Sequence, residues 1–218
     1  MAVTAAALAA ASPAAGHFTP HVDNPWYPLK PGTVLRYRGS DEGVATVDVF
    51  HVTHRTKLVA GVRCRVIRDQ VLKHGKVRED THDWYAQDRG GAVWYFGERT
   101  RLLDRHGRTT STEGTWQSGK NGARPGIFMP AHPRVGQSFR QEYLRGHAED
   151  HFRIQSLHAS VSVPYGSYSG SAMRTREWTP LEPGVVDRKL YARGIGTVKE
   201  LTVKGGSERL ELVSVAHR

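Results

Sequence analysis

Residues 79–98, EDTHDWYAQDRGGAVWYFGE, constrain the fold more than any other stretch. Two aromatic runs, Trp84-Tyr85 and Trp94-Tyr95-Phe96, flank Asp88-Arg89-Gly90-Gly91, and this spacing predicts a β-hairpin. Successive strand side chains point to opposite faces, so both faces of the hairpin carry large rings. An ordinary half-exposed hairpin has one apolar and one polar face. Both faces here need cover: a core on one side, and a lid, a partner or a ligand on the other. Pairing Asp88 with Gly91 sets Tyr85 opposite Trp94 and Trp84 opposite Tyr95.

The preceding segment extends the pattern. If Lys73 pairs with Lys76 across His74-Gly75, then Cys64 meets Tyr85, Arg65 meets Trp84, Val66 meets Asp83 and Ile67 meets His82. One face collects Val62, Cys64, Val66, Asp83, Tyr85, Trp94 and Phe96, and is the expected core face. The other collects Arg63, Arg65, Ile67, His82, Trp84, Val93 and Tyr95, with Arg65 placed to lie on the Trp84 ring. A slip of one residue exchanges the two faces.

Strand patterns recur at residues 33–38, 45–54, 62–72, 77–87, 92–98 and 109–114. After a long loop they resume at 138–144, 147–157, 172–178, 187–191, 197–204 and 208–215. Gly-containing turn signals separate them, and no apolar stripe has helical spacing. The expected fold is all-β: an antiparallel meander forming a barrel or a strongly curved, lipocalin-like sheet, with little helix. Residues 16–218 read as a single barrel-like domain. Its proline-rich start, residues 17–31, reads as an extended arm that tucks Trp26 and Tyr27 onto a barrel end.

Residues 1–15, MAVTAAALAAASPAA, read as a signal-like or disordered Ala-rich segment, with small-x-small cleavage after Ala11 or Ala14. The basic start of such a signal is missing, which leaves the true translation start open. The expected location is outside the cell. No Cys follows the apolar run to carry a lipid, and no later segment has the ~20 apolar residues of a spanning helix. The single Cys64 excludes an intramolecular disulfide and a Cys-based zinc cluster. Lys+Arg total 31 against 21 Asp+Glu, a net charge of +10 that favours anionic partners. The basic residues are spread along the chain, which argues against a nucleic-acid stripe.

Three candidate sites emerge. Asp83 falls on the apolar face, where an ionised carboxylate is costly unless paired; it is either a structural carboxylate or an acid or base with a raised pKa. In residues 138–152, SFRQEYLRGHAEDHF, pairing Leu144 with His147 puts Glu142 opposite Glu149 and gathers Arg140, His147 and His151 on the same face. Facing carboxylates repel unless a cation or a proton intervenes. The set is either acid–base machinery or a solvated polar face. A bound metal is not expected, because strand spacing is not the helical zinc signature. Residues 115–137 are long for a simple connection and carry apolar Ile127-Phe128-Met129-Pro130, which suggests a lid or a plug over the barrel mouth. No G-x-S-x-G elbow occurs, and Gly194-Ile195-Gly196 precedes a strand, not the helix of a dinucleotide loop.

The stretches NPWYPLKPGTVLRY, DWYAQDRGGAVWYFGE, GIFMPAHPRVGQSFRQEY and YARGIGTVKELTV resemble a set of secreted β-rich bacterial proteins without an assigned activity. More loosely, the meander is similar to lipocalin-like and periplasmic half-barrel folds that hold apolar ligands, a likeness of fold only. The resemblance implies no cofactor and transfers no catalytic residue.

Three functions follow as expectations. The first is a secreted barrel binding an apolar or amphipathic small molecule through Asp83, Trp84, Tyr85, Trp94, Tyr95, Phe96, Phe128 and Met129. The second is a secreted lyase or hydrolase acting on an anionic polymer such as a polysaccharide. There Glu142, Glu149, His147 or His151 does acid–base work, and Arg140 neutralises the substrate. The third is an envelope interaction protein using the second aromatic face. Oligomeric state is open.

Overall fold

The computed structural model describes residues 17–218. The Ala-rich segment, with the signal expectation attached to it, lies outside them. No α-helix forms among the described residues. Seventeen strands follow in order. The first nine are β1 (Phe18–Thr19), β2 (Thr33–Asp41), β3 (Val44–Val59), β4 (Val62–Lys73), β5 (Lys76–Asp88), β6 (Val93–Arg99), β7 (Leu102–Leu103), β8 (Thr109–Ser111) and β9 (Trp116–Gln117). The rest are β10 (Arg124–Met129), β11 (Ser138–Arg140), β12 (Glu142–Tyr143), β13 (His151–Val163), β14 (Gly166–Trp178), β15 (Val186–Ala192), β16 (Gly196–Lys204) and β17 (Arg209–His217).

Two antiparallel meanders, β2 to β6 and β13 to β17, join where β17 pairs with β2. The far edges meet through short strands: β10 pairs with β6 and with β12, and β11 pairs with β13. The sheet is thereby nearly closed into a barrel, as the strand and turn pattern predicts. In the first meander three of the four turns are two-residue loops, at Glu42-Gly43, Ala60-Gly61 and His74-Gly75, with both residues of each at positive φ. Such turns match the right-handed twist of the strands they connect.

Within residues 115–137, the apolar stretch expected as a lid or a plug is part of the wall. Residues 124–129 form β10, a barrel strand with Gly126 opposite Tyr95 and Ile127 opposite Trp94. Gly126 is required here, because a Cβ would stand 2.4 Å from the Arg140 carbonyl oxygen.

The expected register is corrected by one residue. Lys73 does pair with Lys76, but Arg78 bulges out of β5, so that Val71 meets Glu79 while Leu72 meets Val77. Beyond the bulge Arg65 meets Tyr85, Val66 meets Trp84 and Ile67 meets Asp83. At the hairpin tip the Asp88 N–H donates to the Ala92 carbonyl, one residue further than expected. Tyr85 therefore faces Tyr95, and Ala86 faces Trp94. A bulge adds one unpaired residue and changes which side chains share a face.

Both faces of the hairpin are covered. Inside the barrel, Tyr85, Tyr95, Ile67 and Val93 join a core with Trp26, Tyr27, Leu29, Met129, Phe152 and Tyr191. Outside, Cys64, Val66, Trp84, Ala86 and Phe96 form a separate cluster with Phe18 and Trp94 packed on it. Phe18 meets Phe96 and Trp94 edge-on, with centroids at 5.2 and 5.9 Å. It is Lys57, not Arg65, that lies over the Trp84 ring, with Nζ 3.1 Å from the centroid. Arg65 instead donates to the backbone carbonyls of Pro20, Thr53 and His54. The second aromatic face is thus occupied by the chain's own β1.

The proline-rich arm closes one end of the barrel. Trp26, Tyr27 and Leu29 are buried in the interior core. Gln87 accepts from the Asp23 and Asn24 N–H groups, and the Pro25 carbonyl accepts from Gly194 N–H.

Candidate functional site

Above the arm lies an axial cavity of about 330 Å³. Five strands of its wall follow one rule. Inward-facing positions alternate by two, and they change from acidic to apolar as each strand runs towards the arm. On β3 the series is Asp48, Phe50, Val52; on β4, Asp69, Ile67; on β5, Asp83, Tyr85. On β14 it is Glu177, Thr175, Met173, and on β16 it is Glu200, Val198. Val52 sits beside the arm, its carbonyl accepting from Gly32 N–H. The aromatic end is built from Tyr27, Phe50, Tyr85, Tyr95 and Phe128. Tyr85 and Tyr95 stack at 4.6 Å, and Phe128 lies 4.5 Å from Tyr27.

The other end is acidic. Asp48, Asp69, Asp83, Glu98, Glu142, Asp150, Glu177 and Glu200 all line the cavity. The basic residues lining it are Lys189 and His147. The cavity opens at this end, where the lining residues Gly114, His147 and Asp150 are exposed. A chain of net charge +10 therefore lines its interior mainly with carboxyl groups.

Burial sets the protonation of these groups. Asp83 is held well above the usual carboxylate range by desolvation, and next by the negative charge of Glu98. Its Oδ1 lies 2.7 Å from the Tyr95 hydroxyl, which also lies 2.6 Å from Glu98 Oε2. Glu98 continues the chain through Thr100 and Thr81 to Glu79. Asp48 and Asp69 stand side by side and hydrogen-bond each other; burial pushes Asp48 up to about 6 and Asp69 well above its ordinary value. Burial also raises Glu142 to about 8, with the Asp150 charge adding to it, although Trp116 Nε1 donates to Glu142 Oε2 at 2.8 Å. Burial opposes the charge on Lys189, but Glu177 and Glu200 overcome it, with Nζ 3.4 and 3.1 Å from their oxygens.

Of the expected ligand-binding residues, Asp83, Tyr85, Tyr95 and Phe128 line the cavity. Met129 is fully buried in the core beside them. Trp84, Trp94 and Phe96 belong to the outer cluster, on the far side of the sheet, as the shifted register requires. Trp94 Nε1 is held by Asp88 Oδ2 at 2.8 Å.

The expected catalytic set does not converge. Leu144 bridges to Ala148 rather than His147, and Gln141 N–H donates to the Asp150 carbonyl. The carboxylate beside Glu142 is therefore Asp150, not Glu149. Glu142 and His147 reach the cavity mouth, while Glu149 accepts from Gly146 N–H in the turn. Arg140 and His151 point away from the cavity. Arg140 lies over the Tyr143 ring at 4.6 Å and bonds His151, which stacks on Trp178. Among the described residues no three His, Cys, Asp or Glu side chains converge to hold a metal ion.

Sequence reading missed Asp48, Asp69, Glu98, Asp150, Glu177, Lys189 and Glu200. The signal that singled out Asp83, a carboxylate in phase with buried apolar positions, is present at Asp48, Glu177 and Glu200 as well.

No protein-family model matches the chain, and no curated protein matches its sequence. Among solved structures, a protein of Bacteroides fragilis described as exported and as having a YmcC-like fold superposes with a TM-score of 0.50 at 12% identity, covering 88% of this chain and 98% of that one. A protein of Parabacteroides distasonis described as a lipoprotein gives a TM-score of 0.45 at 10% identity, covering 87% and 97%. The first likeness establishes a shared β fold. The lipocalin-like comparison rests on the barrel shape alone.

Proposed function

We propose that this protein is an exported β-barrel that holds a small amphipathic molecule along its axis, polar end towards the acidic mouth and apolar end against the arm. The change from an acidic to an uncharged inward position, repeated on five strands and ending in aromatic rings on β3 and β5, supports this reading. A cavity that merely needed filling has no use for so many desolvated carboxyls, each of which costs stability. The volume of about 330 Å³ falls at the lower end of small-molecule sites. Export is supported by the signal-like residues 1–15 and by the description of the B. fragilis protein that shares the fold.

Turnover of an anionic polymer is the weaker reading. The cavity offers an anion no free counter-charge, since Lys189 is paired with Glu177 and Glu200, and Arg140, assigned to neutralise the substrate, lies elsewhere. Native mass spectrometry of protein freshly purified from its own host tests the binding reading. The expected result is a stoichiometric adduct, lost on denaturation and absent from a Phe128→Ala, Tyr85→Ala double variant. An empty protein whose Tyr and Trp fluorescence ignores every amphiphile offered would rule it out.

A further inference from the structure

A second cavity, of about 710 Å³, lies between the arm, the tip of the β5–β6 hairpin, the segment that follows β10 and the β13–β14 hairpin. It shares no lining residue with the axial cavity: Tyr27 lines the axial one, whereas its neighbour Trp26 lines the second. Independently of the ligand-holding reading above, we propose that this second cavity takes a small organic carboxylate, bound by Trp26 Nε1 and Arg193, with its apolar body against Pro25, Ala131, Pro133 and Leu157.

Trp26 is 2% exposed, yet its indole N–H is buried without a hydrogen-bond partner. Buried polar atoms are almost always satisfied, and an indole nitrogen only donates, so the missing group is an acceptor. The Arg193 guanidinium lies over the same ring, 4.5 Å from its centroid, and no carboxylate among the described residues pairs with it. A stacked guanidinium keeps its N–H edge for two coplanar oxygens. Asp23, the one acidic residue of the lining, is engaged by Gln87, whose Nε2 donates to Oδ1 at 2.6 Å. The remaining titratable residues of the lining are His132 and His158.

These groups select the chemistry. A water molecule satisfies the indole but brings no charge for Arg193. A cation is repelled by it. Phosphate brings close to two charges to a single guanidinium beside apolar walls, and the second stays uncompensated. A carboxylate brings one charge and two oxygens. The site is also built in advance. The Gly194 N–H donates to the Pro25 carbonyl at 2.8 Å, which ties the turn carrying Arg193 to the arm carrying Trp26. Asn24, itself 2% exposed, accepts from the Trp26 backbone N–H and donates to the Gly91 and Pro130 carbonyls. Binding therefore orders little of the protein.

The full chain, labelled with nitrogen-15 in its five tryptophans, is titrated with 3-phenylpropanoate, octanoate, 2-phenylethanol and inorganic phosphate. The indole signal of Trp26 is expected to move downfield with the two carboxylates. It is assigned by its loss in Trp26→Phe or, should that variant not fold, by its displacement in Arg193→Gln. The alcohol and phosphate should act on it at least about tenfold more weakly. Arg193→Gln changes an exposed residue and should weaken the carboxylates at least about tenfold. Tyr85→Ala, in the axial cavity, should leave them unchanged. The proposal falls if neither carboxylate moves the Trp26 signal, if Arg193→Gln binds them as tightly as wild type, or if phosphate matches them. A response that Tyr85→Ala abolishes would put the carboxylates in the axial cavity and overturn the proposal as well. Failure at Trp26 leaves the axial reading standing, because Tyr85 and Trp26 report on different cavities.

Discussion

The Tyr95 hydroxyl and the Asp83 carboxyl lie 2.7 Å apart in the barrel wall, and the same hydroxyl is 2.6 Å from Glu98. A phenol has one proton to give. Two ionised carboxylates cannot both accept it, so one of the two contacts needs a second proton. Asp83, 6% exposed and pushed up by burial and by Glu98, is the group that keeps it. It donates to the Tyr95 oxygen, and Tyr95 donates onward to Glu98. Asp83→Asn supplies the same donor from a neutral amide, so its unfolding free energy should stay within about 1 kcal/mol of wild type. Tyr95→Phe leaves Asp83 without this partner and Glu98 with Thr100 alone, and should cost about 1–3 kcal/mol. Urea unfolding at neutral pH measures both. A larger loss for Asp83→Asn than for Tyr95→Phe would mean that Asp83 is ionised.

Trp84 and Tyr85 are adjacent in sequence and serve opposite sides of the sheet. Trp84 fills the outer cluster under Lys57 and Phe18, whereas Tyr85 lines the cavity. Trp84→Ala should therefore destabilise by about 3–5 kcal/mol through lost packing while leaving cavity binding intact in the folded fraction. Tyr85→Ala should weaken binding of an amphiphile in the cavity at least about tenfold. Parallel unfolding and titration of the two variants separate these outcomes. Equal effects on binding would place both rings at the site.

The same pair shows what was legible in the sequence. That residues 79–98 form a hairpin with two covered faces follows from composition and turn chemistry, both local. Which face looks inward does not, because it depends on the Arg78 bulge and on a hairpin tip one residue longer than the Gly-Gly pair suggests. A bulge is a compromise between twist and packing across strands, and no single segment encodes it. The strand character of residues 124–129 was hidden for a similar reason. Residues 115–137 read as one long connection, yet β10 lies within them at the seam of the barrel, where Gly126 admits the backbone of residues 140 and 141. The acidic wall is assembled from carboxyls 48 to 200 in the chain, so only closure of the barrel makes it a site.

Gly39 tests that closure. It sits on β2 where β17 joins the two meanders, opposite Leu210. A Cβ there would stand 1.6 Å from the Arg209 carbonyl oxygen, which is backbone and cannot step aside alone. Gly39→Ala should cost at least about 2 kcal/mol and raise hydrogen exchange selectively along β2 and β17. Gly43→Ala places a methyl in open space, and its cost is limited to the strain of positive φ. Indistinguishable stabilities for the two would show that the seam is loose.

The interior carboxyls also set how stability depends on pH. Burial raises Asp48 to about 6, Glu200 to about 7 and Glu142 to about 8, from ordinary values of 3.8 for Asp and 4.5 for Glu. Between the ordinary and the raised values the folded chain binds more protons than the unfolded one, so stability falls as pH rises through that window. Asp80 works the other way. Its carboxyl is buried between Arg68 and Arg101, whose hydrogen bonds outweigh its desolvation and hold it below 3.8. Its contribution is present above that value and is lost as pH falls through the lowered one. The two effects together place the maximum in mildly acid solution. Unfolding free energy should be about 1–3 kcal/mol greater near pH 5.5 than near pH 8. Glu142→Gln should flatten the alkaline side of the profile. Protonation of surface histidines opposes the trend by adding to the net charge of +10. Screening by about 0.5 M salt suppresses that surface repulsion far more than it does the buried interactions. The fall in stability towards pH 8 should therefore steepen with salt. A rise from pH 5.5 to pH 8 under those conditions would mean that the carboxyls of the cavity are ionised throughout.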